Sequence, residues 1–303
     1  MGKEARRRID GILMLDKPAG IGSNAVLQHV KRLYRAERAG HTGTLDPMAS
    51  GLLIICFGEA TKFAAELLDA PKSYRARLFL GVKTTTADAE GEVLESRPVS
   101  VADEEIRRVL ERFKGDILQT PPMYSALKRD GRPLYAYARL GKTVDREART
   151  VSIYSLEWLK REGDEVDIAV NCSKGTYVRT LGEDIGEALG CGAHLSALIR
   201  TAMGGFFLDQ AVTMESLAAM DLEARDRLLL PSDAMLRTYP EVELDAKAAA
   251  RFRHGERVPA SQAHSGLVRV YGAGRDFLGT AWSDASGALQ PRRVLLQPGD
   301  SAN

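Results

Sequence analysis

The longest wholly apolar run in this 303-residue chain is Leu52 to Phe57, six residues. A membrane-spanning helix needs roughly 18, so the core must be assembled from short strands and one-sided helices. At about 150 residues per domain the length allows one large domain or two ordinary ones. The AVILMFWYC class makes up 44% and DEKR 27%, close to soluble averages, which excludes a disordered chain, a collagen-like repeat or a coiled-coil rod. The start, Met1-Gly2-Lys3-Glu4-Ala5-Arg6-Arg7-Arg8, carries no apolar stretch ending in a small-residue cleavage site, so a cytoplasmic location is expected.

Gly11 to Leu15 reads as a short buried strand closed by Asp16-Lys17-Pro18, because proline removes a ladder donor. A turn through Gly20 and Gly22 follows, with Ser23 expected as N-cap. Val26, Leu27, Val30, Leu33 and Tyr34 then recur at helical spacing, with Lys31, Arg32, Arg35 and Arg38 on the polar side. Gly40 to Gly51, with three glycines and a proline, is expected to be a loop. Leu52 to Phe57 should form a strand and Ala60 to Leu68 a helix. Tyr74, Ala76, Leu78 and Leu80 alternate with Arg75, Arg77 and Phe79, the period of a strand with one buried face. A helix is expected over Asp103 to Lys114, and a long irregular basic excursion over Gln119 to Gly141. Strands Val151 to Lys160 and Glu165 to Cys172 precede a helix ending near Gly190. Such mixing without strict alternation predicts an α+β fold with a mixed, largely antiparallel sheet. From about residue 239 a helix, Ala246 to Arg253, and strands at Leu267 to Tyr271, Phe277 to Trp282 and Arg293 to Leu296 predict a small β-rich second domain.

The net charge is +1, but its distribution is uneven: residues 1–40 carry nine Lys/Arg against four Asp/Glu, residues 128–150 seven against three, and residues 86–116 five against nine. Such polarity lets one face meet a phosphate backbone, although charge runs are ordinarily solvated faces. Three cysteines, Cys56, Cys172 and Cys191, cannot all pair, and the lone C-x-x-H of Cys191 and His194 lacks the second pair that structural zinc needs. Reduced, buried thiols and no metal are expected. Gly272-Ala273-Gly274 fails the dinucleotide fingerprint and no Walker lysine pattern occurs, so no nucleotide cofactor is expected.

Asp46 in the glycine-punctuated stretch, Tyr74 at the start of a strand and Arg179 at the mouth of a helix are the candidate reactive groups. A carboxylate flanked by glycines, which let a ligand approach the backbone, suits a nucleophile or base. The same Asp-Pro pair also starts ordinary turns, Tyr74 also suits a strand core, and Arg179 a phosphate contact.

Gly40 to Leu53, G-H-T-G-T-L-D-P-M-A-S-G-L-L, closely resembles the catalytic motif of the TruB family, bacterial tRNA pseudouridine-55 synthases. Five further pieces occur in family order: Leu15-Asp16-Lys17-Pro18, Lys72-Ser73-Tyr74-Arg75, Thr86-Ala87-Asp88-Ala89-Glu90-Gly91, Gln119 to Lys128 (Q-T-P-P-M-Y-S-A-L-K) and Cys172 to Thr180 (C-S-K-G-T-Y-V-R-T). The likeness covers residues 9–210. Phe277-Leu278-Gly279 and Pro291-Arg292-Arg293-Val294 resemble, more loosely, the family's small C-terminal RNA-binding, PUA-like domain.

The resemblance implies a catalytic domain over 1–238 with an RNA-gripping insertion at about 119–150, and an RNA-binding domain over 239–303. It implies isomerisation of uridine 55 in the tRNA T stem-loop, with no cofactor, no metal, no membrane and no obligatory protein partner, by a monomer. Asp46 would be the essential nucleophile, acting at C6, at C1′ or in forming a glycal, with Arg179 its ionic partner. Tyr74 would stack on the base and act as a base toward C5. His41 would help occupy the disrupted loop. Lys17, Pro18, Tyr177 and Leu198 match pocket or core positions, and Asp88 matches a hydrogen-bonding acid. Two readings compete: an RNA-binding or tRNA-folding module with incidental activity, and a glycoside-type hydrolase, which would need an acid partner near Asp46 that the sequence does not suggest. A guide-RNA-dependent ribonucleoprotein subunit shares the same core motifs.

Overall fold

The computed structural model describes residues 5–125, 127–260 and 264–295. A mixed sheet dominates. Its strands are β1 (Gly11–Lys17), β2 (Ala39–Thr42), β3 (Ser50–Phe57), β4 (Lys72–Leu80), β5 (Gly115–Gln119), β6 (Arg149–Glu162), β7 (Glu165–Cys172), β8 (Ala193–Met203) and β9 (Val212–Thr213), with the two-residue strand Phe206–Phe207 paired to β8. The spatial order is β9-β1-β3-β8-β4-β7-β6-β5, with β2 beside β3. β9 runs parallel to β1 and β8 parallel to β3; the other pairs on this path are antiparallel. The fold is α+β, with helices on the sheet and a β-rich unit at the C-terminal end.

β3 explains why its sequence shows no alternation. Leu52, Ile54 and Cys56 face one core with Phe63, Met203 and Met235, while Leu53, Ile55 and Phe57 face another under helix α1 (Ser23–Leu33). A strand buried on both faces reads as a continuous apolar run. Each fully buried Leu or Ile contributes about 1.5–3 kcal/mol. Helices α2 (Asp103–Glu111) and α3 (Val178–Ala188) cover β4, β6 and β7 through Ile106, Val109, Leu110, Leu181 and Ile185. Three acidic residues in the first turn of α2 suit the positive end of its dipole.

Several expectations need correction. The stretch Gly40 to Gly51 is not all loop: its first residues complete β2 and its last open β3, because both ends pair with the sheet, leaving 43–49 irregular. Ser23 does not cap α1; Gly22 holds that position, and the Ser23 hydroxyl bonds the Leu45 carbonyl and amide, each at 2.8 Å. The helix expected over Ala60 to Leu68 begins as a 3₁₀ turn, Gly58–Phe63, before the α-helix Ala64–Leu68. β5 and the central strand β8 escaped the sequence reading altogether. The basic excursion is partly regular, with a hairpin of Lys128–Arg129 and Arg132–Pro133 and a short helix, Leu134–Ala138.

The C-terminal unit is a five-stranded sheet in the order Glu241–Glu243, Gly266–Tyr271, Phe277–Ser283, Ala288–Val294, Val258–Pro259, packed with the helix Ala246–Arg253 around Phe252, Val268, Val270 and Leu278. Its last long strand starts at Ala288 rather than Arg293; Leu296, where the sequence reading ended it, lies outside the described residues.

Candidate active site

The 43–49 loop is fixed from three sides. Ser23 clamps Leu45, the Gly20 amide donates to the Pro47 carbonyl at 2.8 Å, and the Ala49 amide donates to the Asp46 carbonyl at 3.1 Å. Gly43 takes φ +71° and Gly51 φ +99°. A side chain on Gly51 would place its Cβ 2.4 Å from the Arg200 carbonyl oxygen, so glycine there lets β3 lie close against β8.

Arg179 reaches this loop from the first turn of α3. The start of that helix is held by Gln119, whose amide accepts from the Tyr177 N–H at 2.7 Å and donates to the Tyr177 carbonyl at 3.1 Å. Arg179 then spends each nitrogen on a different segment: Nε meets the Asp46 carboxylate at 2.9 Å, Nη1 donates to the Thr86 carbonyl at 3.0 Å, and Nη2 to the Tyr124 carbonyl at 2.6 Å. Four motifs distant in sequence converge on one guanidinium. Its side chain is 4% exposed, while that of Asp46 is 38% exposed and so open to a ligand.

Asp46, Tyr74, Tyr177, Arg179 and Leu198 line one cavity of about 270 Å³. Pockets for drug-sized ligands run to roughly 300–1,000 Å³, so this one has room only for a ligand at or below the small end of that range. A larger cavity, about 680 Å³, opens beside Leu67, Phe206 and Tyr239, but Asp46 and Arg179 are not in its walls. Burial pushes the Asp46 carboxyl up, against the downward pull of Arg179 and, more weakly, Lys17; Asp88 adds to the rise.

Asp88 stands behind the pair, 3% exposed and 3.6 Å from Arg179 Nη1, accepting from the Thr86 hydroxyl at 2.5 Å and the Glu90 amide at 3.0 Å. Glu90 is nearby and its carboxyl is pushed up by burial and by Asp88 and Asp46. Asp88, which the resemblance had named, and Glu90 are thus acidic neighbours of Asp46; the fold delivers them from the segment following β4. Lys17 is fully buried, its Nζ donating to the carbonyls of Pro18 at 2.9 Å and Ile21 at 2.6 Å, and burial pushes its ammonium down to about 8. Pro18 is exposed. His41 is not among the cavity-lining residues: it lies on β2 opposite Ile55 of β3, its Nδ1 is buried without a partner among the described residues, and burial holds its ring below the usual histidine range. Cys56, Cys172 and Cys191 are buried free thiols, and His194 engages the Val82 carbonyl at 2.9 Å through Nδ1.

Two cations in the cavity wall, Lys72 and Arg200, were missed. Lys72 Nζ donates to the carbonyls of Leu68 at 2.9 Å and Ala70 at 2.7 Å, and burial brings it down to about 8. Arg200 sits on β8. The available signal was a lone arginine inside the largely apolar stretch Leu195 to Met203, where an unpaired charge is expensive.

The TruB family pseudouridylate synthase (N terminal domain) model matches residues 31–178, and two C-terminal models of the same family match 179–237 and 240–295. The chain is 55% identical over 299 residues to tRNA pseudouridine synthase B of Burkholderia mallei (strain NCTC 10247), covering 96% of this chain and 99% of that protein. It is 54% identical over 308 residues to tRNA pseudouridine synthase B of Ralstonia pickettii (strain 12J), covering 97% and 96%. Among solved structures it is similar to a chain of a Cbf5-Nop10-Gar1 complex, with TM-score 0.72, 28% identity and coverage of 94% of this chain and 84% of that one. It is also similar to a chain of an H/ACA RNP bound to a substrate RNA containing 2′-deoxyuridine, with TM-score 0.73, 25% identity and coverage of 95% and 85%.

Proposed function

The chain belongs to the TruB family of pseudouridylate synthases, and from that premise we propose that it converts uridine 55 of the tRNA T loop to pseudouridine. It does so as a stand-alone cytoplasmic monomer without metal or cofactor. The observation that carries the reading is the Asp46–Arg179 pair, 2.9 Å apart, in the wall of a cavity of about 270 Å³.

The reaction breaks N1–C1′, forms C5–C1′, removes the C5 proton and adds one at N1, so atoms and electrons balance without a co-reactant. Asp46 supplies the carboxylate. Attack at C6, attack at C1′ and assisted glycal formation all need it charged, and Arg179 favours that charge against burial. The target base leaves the folded loop to reach it. Tyr74 stacks against the base, worth about 1–3 kcal/mol, and takes the C5 proton. Tyr177 and Leu198 close the wall around the ring, Lys17 braces the loop behind Asp46, and Asp88 holds Arg179. His41 acts outside the cavity, against the loop from which the base has left.

Residues 1–238 form the catalytic domain and 239–303 an RNA-binding domain. The 119–150 insertion grips the RNA backbone with its seven Lys/Arg between 128 and 150. A second basic surface supports this: Arg38 and Lys62 of the core and Arg292 and Arg293 of the C-terminal sheet line a bowl of about 580 Å³. Asp46→Asn is expected to abolish pseudouridine formation on an unmodified tRNA transcript while leaving the tRNA Kd within about 3-fold, as for a group acting on the transition state alone. Turnover at the unsubstituted rate overturns the role given to Asp46.

A further inference from the structure

Arg200 is 1% exposed and the bulkiest fully buried side chain among the described residues. Its Nε donates to the Leu52 carbonyl at 2.7 Å and its Nη2 to the Gly43 carbonyl at 3.0 Å. Among the described residues no carboxylate pairs with it, and the group its charge meets is the phenol of Tyr74. A buried arginine without a carboxylate costs stability, and two carbonyl contacts alone are within reach of a neutral donor.

The register explains the encounter. β8 and β4 run antiparallel with Arg200 directly opposite Tyr74, which puts the two side chains on one face, and both line the Asp46 cavity. A guanidinium has five donors and no acceptor. Toward Arg200 the phenol oxygen can therefore only accept, which leaves its own proton for another acceptor.

We propose that Arg200 is the positioning residue for Tyr74: it aims the phenol O–H at the bound base and holds the phenolate that forms in between two proton transfers. In the first, Tyr74 gives its proton to the uracil ring as N1 leaves C1′. In the second, after C5–C1′ has formed, the phenolate takes the proton from C5. The proton lost from C5 is thereby balanced by the one gained at N1, and Tyr74 ends as it began. Consistent with this, burial pushes the Tyr74 phenol up while Arg200 pulls it down. The assignment rests on Tyr74 as the base at C5.

A double-mutant cycle on single-turnover rates with an unmodified tRNA transcript tests it. Arg200→Met is expected to slow the step by about 10- to 100-fold with Tyr74 present, in the range that removal of a proton-transfer contribution produces, and by less than about 3-fold in the Tyr74→Phe background. The tRNA Kd stays unchanged throughout. Equal slowing in both backgrounds would mean that Arg200 merely braces Gly43 and Leu52, and overturns the proposal, as does full-speed turnover by Arg200→Met. If Tyr74→Phe itself runs at full speed, the Tyr74 reading fails and Arg200 falls with it; a slow Tyr74→Phe beside a full-speed Arg200→Met removes Arg200 alone. Should Arg200→Met fail to fold, Arg200→Lys enters the same cycle, keeping the charge but not the planar fork, and a slowing that persists in Tyr74→Phe again refutes the assignment.

Discussion

Asp46 carries a conflict between stability and chemistry. Its folded carboxyl sits above the ordinary value of 3.8 because burial outweighs Arg179. The native state therefore binds more protons than the unfolded chain between 3.8 and the raised value, and stability falls as pH rises through that window. Asp46→Asn, which cannot ionise, escapes this loss. Its advantage over the unsubstituted protein is expected to widen as pH rises above the ordinary carboxylate value in urea unfolding at stepped pH; a gap that does not change with pH refutes the raised value. Lys17 works the other way, since its charge lowers the Asp46 carboxyl. Lys17→Met is expected to move the Asp46 midpoint further up, as read by carboxyl NMR with the resonance identified from Asp46→Asn. A midpoint unchanged or lowered would place the lysine's charge too far away to matter.

At the level of elements, the site depends on how α3 starts and how closely β3 meets β8. Gln119 satisfies both backbone groups of Tyr177, so Gln119→Ala leaves a part-buried N–H without its partner, a cost of about 1 kcal/mol, and loosens Arg179 at the start of the helix. Slower turnover with little change in tRNA Kd is the expected result, and a loss confined to binding counts against it. Gly51→Ala meets the Arg200 carbonyl in a backbone conformation that disfavours side chains, and is expected to cost about 2–4 kcal/mol in urea unfolding. β1, α1, β4, β6 and β7 were legible because each has one buried face or a bounded apolar run. β8 was not: register shifts at Leu195/Ala197 and Arg200/Ala202 break its alternation, and its buried Arg200 contradicts the strand pattern. Asp46 was legible through the resemblance of its motif to the family's, whereas Glu90 and Lys72, though inside resembling motifs, were not singled out, because their place beside it depends on tertiary pairing that local periodicity does not encode.

Across the whole molecule, a net charge of +1 conceals two separated basic surfaces. The chain order anticipated both a core and a β-rich C-terminal unit, but the bowl of Arg38, Lys62, Arg292 and Arg293 could not be read from it, because its halves lie some 230 to 255 residues apart in sequence and meet only when the C-terminal sheet docks. Lys62 is partly committed there, donating to Glu59 and to the Val294 carbonyl at 2.8 Å, and Arg292 lies 3.8 Å from Glu66. Arg38 and Arg293 are exposed and suited to phosphate. If the C-terminal unit holds tRNA through this bowl, and the T stem-loop enters the Asp46 cavity, the body of the tRNA supplies a second part of the grip. Arg38→Ala and Arg293→Ala are then each expected to flatten the slope of log K against log salt for full-length tRNA by roughly 0.7–0.9 for every phosphate the variant releases. The slope for an isolated T stem-loop should stay the same, and the rate at saturating tRNA should not move, because neither residue touches the cavity. Equal flattening for both RNAs would put the bowl on the stem-loop itself, and no flattening for either would leave the insertion as the sole grip.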